Sequence, residues 1–153
     1  MESSSPRALK LGHVVLRVRS LTVSVPFYRD VLGLKEVAQY AGSMVFFSCG
    51  ENHHDLGLQE IGTTAVEAHP RSVGLYHVAF KVGDSLAELR AFADRLHVHG
   101  VPIAGQSDHR VSQSLYFHDP DGLLIEAYVD ADPAVWRDDP QAVAYVGPLS
   151  LGS

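Results

Sequence analysis

His13-Val14-Val15-Leu16-Arg17-Val18-Arg19 reads as a β-strand, with Val14, Leu16 and Val18 on one face and His13, Val15, Arg17 and Arg19 on the other. Leu21, Val25, Tyr28 and Leu32 then recur at helical spacing, so a helix is expected over 22–32, stopped by Gly33. Pro26 is tolerated only near a first turn, so that helix starts late or bends there. Strands are expected over 34–40, 43–49 and 54–60, separated by Ala41-Gly42 and Gly50-Glu51-Asn52.

The same order returns at Tyr76-His77-Val78-Ala79-Phe80-Lys81-Val82. Here Tyr76, Val78, Phe80 and Val82 share one face, and His77, Ala79 and Lys81 the other. Asp84 or Ser85 caps a second helix, Ser85 and Glu88 match a capping box, and Gly100 ends it. Leu86, Leu89, Ala93 and Leu96 are its expected buried stripe. Strands follow over 102–106, 113–118 and 123–129, the last two joined by the turn Asp119-Pro120-Asp121-Gly122. The chain is thus a strand–helix–three-strand unit written twice. The expected boundaries are a first module at 10–66, a second at 72–130, a C-terminal extension at 131–153 and a flexible tail at 1–9. The extension has no steady period, but its apolar Val135, Trp136, Val143, Tyr145, Val146 and Leu149 suit packing on the body or on a partner chain.

Composition narrows the function. The 153 residues carry 46% hydrophobic and 20% charged side chains, ordinary for a globular protein. A net charge of −6 disfavours nucleic acid. No apolar run approaches the ~20 residues of a membrane span, and 1–6 lacks the apolar stretch of a secretory signal. The single Cys49 excludes an internal disulfide and a cysteine-based zinc site; a cytoplasmic, reducing location and a small core role for Cys49 are expected. Nine histidines direct attention to metal or proton-transfer chemistry.

A helix after each first strand needs an apolar sheet face to cover, which turns His13 and His77 to the opposite side. In the last strand Leu124, Glu126 and Tyr128 share a face, so Glu126 can join them. Two imidazoles and one carboxylate form a facial triad with open positions, the ligand set of non-haem Fe(II). A lone histidine or glutamate on a strand is more often a surface or satisfied core residue; the repetition of the two histidines is what favours a shared metal.

From Leu11 to Asp130 the chain resembles the vicinal oxygen chelate superfamily, which includes glyoxalase I, bleomycin-resistance proteins and type I extradiol dioxygenases. The carrying segments are His13 to Val18, Phe27-Tyr28-Arg29-Asp30-Val31-Leu32-Gly33-Leu34, His77 to Val82, and Asp119-Pro120-Asp121-Gly122 leading to Ile125-Glu126. The resemblance implies an α+β fold of paired βαβββ modules, their curled mixed sheets around a metal-binding cavity, with the metal on His13, His77 and Glu126. Asn52-His53-His54-Asp55-Leu56-Gly57-Leu58 and Asp108-His109-Arg110-Val111-Ser112-Gln113-Ser114-Leu115-Tyr116 are similar to extradiol segments that carry catalytic residues, which would be His54, His109 and Tyr116. Each also has a plain structural role open to it: His54 at a strand end, His109 in an exposed loop, Tyr116 as a core tyrosine. Strand parity turns His53 away from His54, while His97 and His99 suit a helix C-terminus at the surface.

The function this implies is an extradiol-type dioxygenase that cleaves the ring of an aromatic vicinal diol with dioxygen. Fe(II) is the expected metal, with Mn, Zn and Ni as alternatives. Glyoxalase-type members carry a fourth ligand late in the first module, where this chain offers only Gln59 or Glu60. A glyoxalase-like lyase or isomerase is therefore the alternative, followed by a metal-free drug-binding protein. Neither nucleic acid nor membrane is an expected partner, and a homodimer is.

Overall fold

The computed structural model describes residues 5–151, so Met1–Ser4 of the expected tail and the last two residues of the extension lie outside them. The chain divides into two compact units, Met1–Ala65 and Val66–Ser153. Among the described residues no helix is long and apolar enough to cross a membrane.

In the first unit β1 (Val14–Val18) leads into a short helix, α1 (Leu21–Pro26), then β2 (Lys35–Tyr40), β3 (Met44–Ser48) and β4 (Leu56–Glu60). The sheet order is β1-β4-β3-β2, with β1 parallel to β4 and the other pairs antiparallel. Leu16 and Val18 are buried while Val15 and Arg17 are exposed, the alternation read from the sequence. The first helix neither starts late nor continues unbroken. Pro26 has no N–H to give to the turn before it, and the helix widens into a π-helical turn at Phe27–Val31. There the Leu32 N–H donates to Phe27 O at 3.2 Å. Tyr28 is wholly buried by this turn, beside Phe47.

The second unit comprises β5 (His77–Gly83), α2 (Leu86–Val98), β6 (Gly105–Asp108), β7 (Ser112–His118) and β8 (Leu124–Asp130). Beyond them come α3 (Ala134–Asp138), a 3-10 turn at Pro140–Ala144 and β9 (Gly147–Pro148). The order β5-β8-β7-β6-β9 repeats the first sheet, with β5 parallel to β8, and adds one strand. Thus β9 pairs with β6, and the extension that lacked a period extends the sheet. Two mixed sheets with few helices make this the α+β fold expected.

Ser85 caps α2: its side chain accepts from the Glu88 N–H at 3.3 Å, and Glu88 Oε2 accepts from the Asp84 N–H at 2.8 Å. The stripe that α2 buries is Leu89, Phe92 and Leu96, not the expected set, because Leu86 sits on the first turn and stays exposed. Phe92 meets Phe117, and Ile125, Ala127 and Val129 complete this core. Tyr76 precedes β5 and is 79% exposed rather than covered by the helix. Asp119 organises the β7–β8 turn: its Oδ1 accepts from the N–H groups of Asp121 and Leu123. Cys49 also departs from expectation. It is exposed just past β3, and partial loss of water around its thiol, followed by the charge of Asp55, pushes its pKa up to about 11.

Leu96→Ala is expected to cost about 2–5 kcal/mol, because a fully buried leucine leaves a cavity under the sheet. Ser85→Ala, which loses only the cap, is expected to cost about 1 kcal/mol. Urea unfolding of both variants measures the two losses.

Candidate active site

In the first unit the turn between β3 and β4 places the rings. Asp55 accepts from Asn52 Nδ2 and from the Cys49 N–H, each at 2.7 Å, and these bonds hold its carboxyl below the usual range. Ser48 Oγ donates to Asn52 O at 2.7 Å, and the Val14 N–H donates to Asp55 O at 3.1 Å. The turn is therefore pinned to both β3 and β1. It sets the His54 ring 4.2 Å from the His13 ring, centroid to centroid, and edge-on to Phe46 at 5.5 Å. His53 does not point away: its Nδ1 lies 2.6 Å from His54 Nδ1. Strand parity fails because β4 begins only at Leu56, so both histidines belong to the turn. Loss of water lowers the His54 pKa, and repulsion from His13 and His53 lowers it further.

In the second unit β8 runs between β5 and β7, and Glu126 stands at its middle. Glu126 is 8% exposed. Its Oε2 lies 2.9 Å from His77 Nε2, and its Oε1 accepts from Ser114 Oγ at 2.5 Å. Tyr116, directly across from Glu126 in the β7–β8 pairing, sets its ring edge-on to His77 at 5.8 Å. Burial first, and Glu126 second, push the Tyr116 hydroxyl up to about 12, so it stays protonated. His109 Nε2 lies 2.8 Å from Tyr116 Oη, and His109 Nδ1 lies 3.0 Å from the Tyr145 carbonyl oxygen. A carbonyl only accepts. In the neutral ring Nδ1 therefore carries the proton, and Tyr116 donates to Nε2.

The hairpin explains why His109 is not a loose loop residue. Arg110 turns the chain at φ 65°, its N–H donates to Asp108 Oδ1 at 2.7 Å, and the His109 N–H donates to Ser112 O at 2.8 Å.

The six candidates thus form two groups, His13 with His54 and His77 with His109, Tyr116 and Glu126. Among the described residues neither unit by itself gathers three His, Cys, Asp or Glu side chains around one point. The donors of the second unit nonetheless fit a divalent cation. Two neighbouring ligand atoms on one ion, each roughly 2.1 Å from it, stand about 3 Å apart, which is the His77–Glu126 spacing. His77 Nδ1 is also a buried polar atom without a hydrogen-bond partner, a deficit that ordinarily costs about 1–3 kcal/mol.

Four contributors escaped the sequence reading. Ser114 shares a face with Tyr116, so alternation could have found it. Phe46 beside His54, and His53, needed the turn geometry. The Tyr145 carbonyl carries no side-chain signal at all. Of the remaining histidines, His97, His99, His69 and His118 are exposed.

The profile of the Glyoxalase/Bleomycin resistance protein/Dioxygenase superfamily matches residues 10–127. The chain is 37% identical over 130 residues to the catechol-2,3-dioxygenase of Bacillus subtilis (strain 168), covering 84% of this chain and 44% of that protein. It is 34% identical over 125 residues to biphenyl-2,3-diol 1,2-dioxygenase 3 of Rhodococcus globerulus, covering 79% of this chain and 63% of that one. It therefore spans about half to two-thirds of the length of these relatives. Among solved structures, the lactoylglutathione lyase of Agrobacterium tumefaciens superposes with a TM-score of 0.63 at 28% identity, over 80% of this chain and 95% of that one. A doubled strand–helix–three-strand unit, with a histidine before or at the head of each first strand and a profile match spanning both copies, makes this chain a member of the Glyoxalase/Bleomycin resistance protein/Dioxygenase superfamily.

Proposed function

We propose that the protein is a metal-dependent dioxygenase that opens the ring of a catechol-like vicinal diol, with Fe(II) on His13, His77 and Glu126. The observation that carries this reading is the buried Glu126 carboxylate in contact with His77 and flanked by the phenol–imidazole pair Tyr116 and His109. The names of the two dioxygenase relatives, which specify catechol and biphenyl-2,3-diol, support the same substrate class.

When bound, Fe(II) supplies Lewis acidity toward the diol oxygens and an electron for dioxygen. The protein's own residues manage protons and charge. His54, with its lowered pKa, is neutral at neutral pH and takes the proton of a substrate hydroxyl. Ser114 fixes the orientation of the Glu126 carboxylate through Oε1. His109 finds an acceptor at each nitrogen, the Tyr145 carbonyl and the Tyr116 oxygen, so it is satisfied with one proton or two. With the second proton, His109 donates to Tyr116, whose own O–H then turns to a substrate oxygen as negative charge develops there.

A lyase or isomerase of the lactoylglutathione lyase kind is the second reading, supported by the likeness in sequence and fold to the lactoylglutathione lyase of Agrobacterium tumefaciens. It calls for Zn or Ni and a fourth protein donor. Glu60 is poorly suited to that part. It sits at the far end of β4, paired with Val18, and its carboxylate already accepts from the Leu21 N–H at 2.7 Å, capping α1.

Anaerobic loading with Fe(II), followed by a panel of catechols in aerated buffer, is expected to give oxygen uptake and a yellow ring-opened product. Conversion of a hemithioacetal by Zn- or Ni-loaded protein, with no oxygen uptake from any diol, would establish the second reading instead. His54→Gln is expected to slow ring opening by about 10²–10⁴-fold while metal content is unchanged. Ser114→Ala is expected to weaken metal retention or activity by about 10–100-fold, measured by metal analysis after dialysis.

A further inference from the structure

The turn between β6 and β7 carries strain. Arg110 and Val111 are its two central residues, and the His109 N–H closes it on Ser112 O at 2.8 Å. In hairpins this short, a positive φ at the first central residue is ordinarily supplied by glycine, asparagine or aspartate. Here Arg110 supplies it, at φ 65°. The Val111 N–H also donates to His109 O at 2.8 Å, so Arg110 is the centre of a three-residue turn of the rare, strained hand. Among the described residues Ala41 is the only other non-glycine residue at positive φ. A branched cation kept where glycine would relax the chain directs attention to what its side chain touches.

That side chain reaches the C-terminal segment. The Arg110 guanidinium lies over the Tyr145 ring, 5.7 Å from its centroid, and 3.9 Å from Asp139 Oδ2. The ion pair is long and its partners are half exposed, so it contributes little; the ring contact is the more specific of the two. Tyr145 stands at φ −72° and ψ 139°, just past the 3-10 turn, and that ψ directs its carbonyl to His109 Nδ1 at 3.0 Å. Val146, across the same peptide bond, is 70% exposed, so packing there does little to fix the peptide plane. Arg110 is thus the side chain that grips the residue whose carbonyl orients His109. The two are consecutive in sequence, so one strained turn presents the imidazole and also holds that imidazole's acceptor.

We propose that Arg110 is a positioning residue. Its contact with the Tyr145 ring keeps the Tyr145 carbonyl on His109 Nδ1, which leaves Nε2 bare to accept from Tyr116. The bearing of Arg110 on turnover rests on the ring-cleavage reading of the site; the place of the proton on His109 does not.

Nuclear magnetic resonance reads that proton directly. In the ¹⁵N-labelled 153-residue chain with metal removed, long-range ¹H–¹⁵N correlations distinguish the two ring nitrogens, and His109→Gln identifies the signals. In mildly alkaline buffer the unsubstituted protein is expected to show a protonated Nδ1 and a bare Nε2. Arg110→Asn and Arg110→Gly preserve the turn, because both residues accept positive φ, and they remove the grip on Tyr145. Both are expected to move the His109 signals toward the other tautomer. In Fe(II)-loaded protein both are expected to lower kcat about tenfold, with KM within about twofold. Asp139→Asn removes only the ion pair and is expected to leave the His109 signals in place.

A proton on Nε2 in the unsubstituted protein, or signals unmoved in both Arg110 variants, would overturn the proposal. So would an equal movement in Asp139→Asn, which would assign the effect to the ion pair. A lowered urea midpoint in the Arg110 variants with unmoved His109 signals would mark Arg110 as merely structural. Oxygen uptake by the unsubstituted protein, with identical His109 signals in Arg110→Asn, defeats the positioning role alone. Moved signals without oxygen uptake from any diol defeat the ring-cleavage reading and leave the positioning role standing.

Discussion

A carboxylate removed from water is expensive, and its retention implies that the surroundings compensate it. Glu126 meets that condition through two contacts, one from each flanking strand. Ser114 on β7 donates to one oxygen, and His77, at the head of β5, touches the other. Both contacts require β8 to run between β5 and β7, parallel to one and antiparallel to the other. The strand–helix crossover provides the parallel pairing, and the Asp119 turn provides the antiparallel one. The opposite side of β8, with Ile125, Ala127 and Val129 under α2, anchors the strand by burial. Packing on one face thus fixes the register that satisfies the charge on the other.

The two units share a strand order but not a chemistry, and register shows where they part. In the second unit Glu126 opposes Ala79, two residues after His77. The equivalent position in the first unit, opposite Val15 and two residues after His13, is Gly57. A Cβ there would lie 3.2 Å from Val15 and 3.3 Å from the Phe46 ring, so the space a carboxylate would use is already taken. Phe46 opposes Gly57 as Tyr116 opposes Glu126. The first unit therefore replaces an acid and a phenol with a glycine and a phenyl ring, and it backs His54 where the second unit holds Glu126. The first unit thus carries no carboxylate at the strand position that Glu126 occupies in the second.

Features set by local period and turn chemistry were legible in the sequence: the alternation around His13 and His77, the face shared by Glu126 and Tyr128, the Ser85 cap and the Asp119 turn. Features set by tertiary contact were not. Phe92 replaced Leu86 in the buried stripe because the sheet covers the middle of α2 and leaves its first turn open. Pro26 widened a helix that a period of 3.6 could only continue or stop. His53 defied parity because parity holds only inside a strand. Cys49, read as a core residue from its type, lies at a strand end where the neighbouring Asp55 binds its backbone.

The C-terminal segment shows why aperiodicity is a poor sign of idleness. No single face of it is buried, so no period arises. It is pinned point by point instead, with Leu151 in the core, Gly147 paired to Asp108, and the Tyr145 ring under the Arg110 guanidinium. A Cβ on residue 147 would lie 2.5 Å from the Tyr145 hydroxyl, so glycine there lets that ring fold back on the strand. These attachments bring the Tyr145 carbonyl to His109 Nδ1 and so decide which nitrogen faces Tyr116. A backbone carbonyl cannot be lost by substitution of its own side chain. The tautomer of His109 therefore depends on where the segment runs, and so on the several weak anchors that route it, rather than on the identity of any one residue in it.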